Sequence, residues 1–306
     1  MLRRLAIIAA VVVGGVGCQQ QSASAPVDEI WFTPAVSEAE VSEVFQRIRN
    51  VDPCALVPRS ALEEHGTVDE VRIGGQTING CRARLDAGGS AVEAVWSLAW
   101  APAGSAVDET RRVGEAKVEV LSPEDLGSTA EPKQCWVTAE FPSMTQIALT
   151  VEAPSPVDTC AVGNALIDTA IEQLPASPGY GTSPDSVRTV LTGADPCEAL
   201  PKLAATPLPV HDYQVAQICR FGTPDAPTAI EYGYQTVDEI EHDETITVDK
   251  RTVYVGRVGG GQFIGYTFAV GQELPGGALP VITVLGKNQP EVERARDQLM
   301  TMYPLP

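Results

Sequence analysis

Positive charge and histidine are both scarce in this chain, and each shortage bears on function. Against 40 Asp and Glu stand only 21 Lys and Arg, a formal net charge of −19 over 306 residues. Such a surface repels nucleic acid and anionic headgroups, which argues against a nucleic-acid partner or a polybasic membrane contact. The three histidines, His65, His211 and His242, stand apart and no Cys-x-x-Cys occurs, so no metal site is expected. Gly-x-Ser-x-Gly, Ser-x-x-Lys, His-Glu-x-x-His and the Gly-x-x-x-x-Gly-Lys phosphate loop are all missing. No catalytic residue and no cofactor is therefore assigned, and no enzymatic activity is expected. Nor does any apolar run approach the roughly 20 residues that a membrane-spanning helix needs.

What is present begins with an address. Met1-Leu2-Arg3-Arg4 leads into an apolar stretch from Leu5 to Val13, then Gly14-Gly15-Val16-Gly17-Cys18. That is the order of a positive n-region, a short h-region and a small-residue processing site. A Cys at that point resembles the bacterial lipobox, whose thiol takes a diacylglyceryl group before cleavage makes it the new N-terminus; Gly15 stands where lipoboxes usually carry Leu. Residues 1–17 read as a lipoprotein signal peptide, and 18–36 as the lipidated Cys18 and a flexible tether, polar and low in complexity from Gln19 to Pro26. Losing the signal removes Arg3 and Arg4 and no acid, which moves the formal charge from −19 to −21. Two or three acyl chains anchor a protein stably. The expected location is the extracytoplasmic face of the cell membrane, with membrane lipid a partner through Cys18.

Asp-Pro-Cys occurs twice, at Asp52-Pro53-Cys54 and Asp195-Pro196-Cys197, and later echoes keep the same order. Cys81-Arg82 answers Cys219-Arg220, Ala91-Val92-Glu93 answers Ala229-Ile230-Glu231, and Asp108-Glu109-Thr110 answers Asp243-Glu244-Thr245. Between the first two echoes the offset is constant at 138 residues, which points to a tandem duplication. Of seven cysteines, Cys18 is taken by lipid and six remain, an even number in an exported chain. Cys54 and Cys81 recur as Cys197 and Cys219, whereas Cys135 and Cys160 have no counterpart. Two cysteines missing together imply a bond between them. The expected disulfides are Cys54–Cys81, Cys135–Cys160 and Cys197–Cys219, each worth roughly 3–4 kcal/mol by chain entropy.

The spacing of apolar residues outlines two α+β domains, 37–175 and 187–306, joined by a Pro- and Gly-rich linker at 176–186. Val41, Val44, Phe45 and Ile48 predict a helix over Ser37–Ile48, and Asp52-Pro53 predicts a second that ends near Gly66. Strands are expected at Cys81–Leu85, Ala91–Trp100, Lys117–Leu121, Cys135–Phe141 and Gln146–Ala153, then at Ala229–Val237, Thr252–Val258, Phe263–Val270 and Pro280–Leu285. Val162, Leu166, Ala170 and Leu174 predict a helix closing the first domain, and Val292, Ala295, Leu299 and Met302 one closing the second. Each domain is then an antiparallel sheet bracketed by an N-terminal and a C-terminal helix.

Arg82–Glu93 and Arg220–Glu231 are candidate cross-strand ion pairs, each worth under about 1 kcal/mol on a surface. The acidic run Asp238–Glu244 reads as a solvated loop, Gly259-Gly260-Gly261 as a turn, His65 as a helix-end cap and His211 as part of a proline-rich loop. The whole pattern resembles a family of actinobacterial cell-envelope lipoproteins built on a domain of unknown function. Its members share the export signal with a lipobox Cys, a helix opening on Asp-Pro-Cys, a second Cys on the following strand and a later Cys pair. Cys54, Cys81, Cys135 and Cys160 fit all four cysteine positions, and the second copy fits in part. More loosely, the layout is similar to the two-disulfide sensor ectodomains of mycobacterial serine/threonine kinases. With no catalytic motif present, the expected function is a non-enzymatic module for an envelope partner or small ligand, with a structural or assembly role in the envelope as the alternative and an enzyme, which would need convergent polar groups in a pocket, ranked last.

Overall fold

A computed structural model of the chain describes residues 28–74, 77–100, 110–124, 131–210 and 215–304. The expected signal peptide, Cys18 and His211 lie outside the described residues. The fold is α+β, with two antiparallel sheets and three disulfides.

Helix α1 spans Glu38–Asn50 and opens on a capping box, in which the Ser37 hydroxyl accepts from Glu40 N and the Glu40 carboxylate accepts from Ser37 N. Its apolar face, Val41, Val44, Phe45 and Ile48, is buried. The helix expected from Asp52 is broken in two, α2 at Pro53–Leu56 and α3 at Arg59–Glu63. Pro58 has no N–H to donate and disfavours helix at the residue before it, so the chain restarts there.

The first sheet holds β1 (Thr67–Ile73), β2 (Gly80–Asp86), β3 (Ala91–Trp100), β4 (Thr110–Val113), β5 (Ala116–Leu121), β6 (Lys133–Glu140) and β7 (Thr145–Ala153), in the order β1-β2-β3-β7-β6-β5-β4. β1 and β4 have no counterpart among the expected strands. Both are edge strands, half-buried and rich in charge, so the alternation that marks a strand is weak in them. On the central strands it is strong: Val92, Ala94, Trp96, Leu98 and Trp100 of β3 all point inward. Helix α4 (Thr159–Gln173) covers this face through Val162, Leu166, Ile167 and Ala170. Gly163 permits the close approach, since a Cβ there would lie 2.9 Å from Val137 Cγ2.

After the short α5 (Leu200–Leu203) come β8 (Ile218–Thr223), β9 (Ala226–Gln235), β10 (Glu244–Val248), β11 (Arg251–Val258), β12 (Phe263–Ala269) and β13 (Leu279–Gly286), then α6 (Gln289–Met302). The second sheet runs β10-β11-β12-β13-β9-β8. Read from its β8 edge, this order repeats that of β2 to β4 in the first sheet.

Two connecting segments also differ from expectation. Residues 28–36, read as tether, belong to the folded body: Trp31 is fully buried, its indole N–H donates to Ser177 Oγ, and Asp28 pairs with Arg47 at 3.0 Å. The 176–186 linker is likewise pinned to the first sheet's end of the molecule. Asp52 N donates to Pro178 O, the Tyr180 hydroxyl donates to Ile78 O, and Val51 bridges Gly179. Proline and glycine composition marks where regular structure stops, not where packing stops. One connected set of buried side chains runs from Trp31 to Met300.

Candidate functional site

The two Asp-Pro-Cys units supply the framework. Asp52 caps α2 by accepting from Cys54 N at 3.1 Å, with Pro53 at the first helical position, and Cys54 bonds Cys81 on β2. Asp195 does the same for a short 3-10 turn at Pro196–Ala199, accepting from Cys197 N at 3.0 Å, and Cys197 bonds Cys219 on β8. Cys135 on β6 joins Cys160 on α4, fastening helix to sheet.

Each Asp also reaches away from its cap. Asp52 is fully buried; its Oδ2 accepts from Ser183 N at 3.0 Å, and the Ser186 hydroxyl donates to Oδ1. Oδ2 of Asp195 lies 3.6 Å from Arg49 Nη2, at the last turn of α1. Arg49 is 7% exposed and donates from Nη1 to Ala216 O at 3.2 Å, so an arginine of α1 is sunk between Asp195 and Ala216. Burial holds its guanidinium below the usual arginine range, and the charge of Asp195 opposes that shift. Behind it, the Tyr232 hydroxyl donates to Glu198 Oε1 at 3.2 Å and the Tyr303 hydroxyl donates to the same oxygen. Burial pushes both phenols well above the ordinary tyrosine range, so they stay protonated donors.

Between α1 and residues 193–210 and 215–218 lies a cleft of about 700 Å³. Ser42, Glu43, Gln46 and Arg49 make its polar wall. Pro196, Pro207, Val210, Val215 and Ile218 make an apolar wall opposite, and Phe45 also lines it. A small set of convergent polar groups facing an apolar wall suits a small-molecule site. None of the predicted site residues except Cys197 lines it. Arg49, Glu198, Tyr232 and Tyr303 went unread, although one signal exists: Val41, Phe45 and Arg49 are four apart, so Arg49 continues the apolar stripe of α1.

The expected ion pairs sit on the sheets' outward faces. Arg82 Nε and Glu93 Oε1 are 3.0 Å apart, but diagonally, because the register sets Arg82 opposite Val95 and Glu93 opposite Arg84. In the second sheet Glu231 stands opposite Ile218, and Arg220 opposite Ala229. Burial raises the Glu231 carboxyl above its usual range, and the Arg220 charge opposes this. The constant offset of 138 does not survive the register: Cys81 faces Trp96, whereas Cys219 faces Ile230. The hairpin after Cys219 turns through Pro224-Asp225 alone, where the first uses Ala87-Gly88-Gly89-Ser90. Glu231 therefore does not occupy the position of Glu93.

Two carboxylates of the acidic run make local hydrogen bonds. Glu239 accepts from Thr236 N, Asp243 accepts from Arg257 N, and the His242 ring packs edge-on against Tyr254. Among the described residues no three His, Cys, Asp or Glu side chains cluster as metal ligands, and no helix is long and apolar enough to cross a membrane. Gly259, Gly260 and Gly261 all take positive φ in the turn between β11 and β12. His65 is half-buried just past the end of α3. No protein-family model, no curated protein and no solved structure matches the chain.

Proposed function

We propose that this chain is a membrane-anchored cell-envelope lipoprotein, without enzymatic activity, that takes a ligand or partner in the cleft between α1 and residues 193–210 and 215–218. The observation that carries the reading is the cleft itself, about 700 Å³, with a buried arginine in its polar wall and an apolar wall opposite. An apolar body with one acceptor-bearing end fits such walls.

The lipid anchor rests on the n-region, h-region and Cys18 of the sequence, and the family on the order of signal, Asp-Pro-Cys and later cysteines. In this reading the chain is two tandem copies of one domain, each an antiparallel sheet bracketed by helices, α1–α3 with α4 and α5 with α6. The shared strand order supports it. So does the register: the rung Cys81-Trp96-Leu149-Val137 matches Cys219-Ile230-Val284-Tyr266. On that match Ile264 stands in the place of Cys135, a buried apolar residue in place of a lost disulfide.

The anionic amphiphile anilinonaphthalene sulfonate tests the cleft. It should bind saturably, near one per chain, and Ser42→Trp, which fills the cleft, should abolish the signal. Binding unchanged by that substitution overturns the cleft. Separately, Cys18→Ala should leave unprocessed precursor in cells, and partition of the native protein into the aqueous phase on detergent extraction overturns the anchor.

A further inference from the structure

Three of the four tryptophans, Trp31, Trp96 and Trp100, are buried at 3% exposure or less. Trp136 is the exception, 46% exposed on the outward face of β6, deep inside the seven-stranded sheet. A large aromatic ring left open on an interior strand loses the burial that its area could supply. Its surroundings are not those of an ordinary solvated face.

Thr150 of β7 lies directly opposite Trp136, and Val95 of β3 lies beyond Thr150. One step along, Gln134, Glu152 and Glu93 stand abreast on β6, β7 and β3. Two carboxylates directly opposed on neighbouring strands repel one another. Glu93 is tied to Arg82, whereas Glu152 has no hydrogen bond or ion pair within the described residues. Side chains as small as Ser97 and Ala148 leave a concavity of about 520 Å³ beside the indole. The second sheet lacks this arrangement. Gly265 holds the register position of Trp136, and residues 239–241 border the corresponding face.

We propose that this concavity is a second binding site and that it takes an organic cation, an ammonium group on a small molecule. The cation lies against the Trp136 ring, with Glu152 as its counter-charge and Glu93, shared with Arg82, beside it. Indole is the best side chain for a cation–π contact, and an uncompensated carboxylate within diagonal reach across the strands adds Coulomb attraction that a neutral ligand would not gain. The inference is independent of the cleft.

The test is titration of the isotope-labelled mature protein with tetramethylammonium chloride, followed through the indole N–H resonance of Trp136, which Trp136→Phe identifies by its loss. Sodium chloride at matched ionic strength and a neutral trisaccharide are run alongside. A saturable shift with the ammonium ion alone is expected. By calorimetry, Trp136→Ala should weaken binding by about 2- to 30-fold, the range a cation–π contact spans, and Glu152→Gln should weaken it several-fold. Equal shifts with sodium chloride, affinity indifferent to Glu152→Gln, or a response to the trisaccharide in place of the ammonium ion would each overturn the proposal.

Discussion

Two copies of one tripeptide sit in unlike surroundings, so substituting the same atom set in each separates the worth of a helix cap from the worth of a buried anchor. Asp52→Ala strands three donors, Cys54 N, Ser183 N and the Ser186 hydroxyl. Cys54 is buried, and Asp52 itself is fully buried, so water does not replace the lost acceptor. Each stranded backbone donor costs about 1–3 kcal/mol, the cap itself contributing about 1 of this. The total is about 3–5 kcal/mol, which places the change in the exceptional class. Asp195→Ala loses the matching cap on Cys197 N and the 3.6 Å approach of Arg49. Its side chain is 51% exposed, so water takes over the cap and the ion pair is screened. About 1–2 kcal/mol is expected there. Melting curves of the two variants should show midpoints lowered by roughly 10 °C for Asp52→Ala and by a few degrees for Asp195→Ala. Limited proteolysis should open the 178–186 segment in the first variant alone. Equal losses, or the larger loss at Asp195, would refute the account of Asp52 as the clamp on that segment.

Alkali should unfold the protein through its buried phenols. Burial raises Tyr180 and Tyr232 far above their ordinary value, so their contribution is whole below about pH 10 and falls by up to about 1.4 kcal/mol per pH unit per tyrosine above it; a denaturation midpoint that stays flat into alkali contradicts this, and Tyr180→Phe should lessen the slope. Glu231 has the same sign at lower pH: its raised carboxyl favours the folded state in acid, and that benefit is lost as pH rises from about 4 through the folded value. Glu231→Gln should accordingly melt higher than wild type at neutral pH and show no gain in acid, and a variant less stable at neutral pH counts against the burial argument. Gly163→Leu should cost about 1–3 kcal/mol or more by forcing α4 off β6, measured by denaturant unfolding. Finally, a fragment of residues 28–186 should fold more stably than one of 37–175 by about 3–5 kcal/mol or more, because the shorter piece lacks the buried Trp31 and the partners of Asp52.

Much of the architecture was legible in advance, and for one reason. Period-two alternation in Ala91–Trp100 and Gln146–Ala153, and the 3.6 spacing in Glu38–Asn50 and Gln289–Met302, record burial on one face, which is a local property of the chain. The Asp-Pro pairs announce their caps because a cap bonds within two residues. Long-range pairing of cysteines was readable only because one copy lacked two of them. Edge strands such as Thr67–Ile73 escaped notice, being half-wet on both faces.

The sequence alone thus determined the acidic balance, the paired motifs, the central strands and the closing helices, all set by neighbours a few residues apart. Tertiary structure decided the rest. The second hairpin is four residues shorter, two in the turn at Pro224-Asp225 against Ala87–Ser90 and one on each strand, so the register moved Glu231 away from the place of Glu93, a slip no motif match could reveal. Folding brought Arg49 to Asp195 and Ala216 across more than a hundred residues, and it left Trp136 open where three other tryptophans closed. A side chain's burial depends on what the rest of the chain lays over it, and that is known only when the elements have packed.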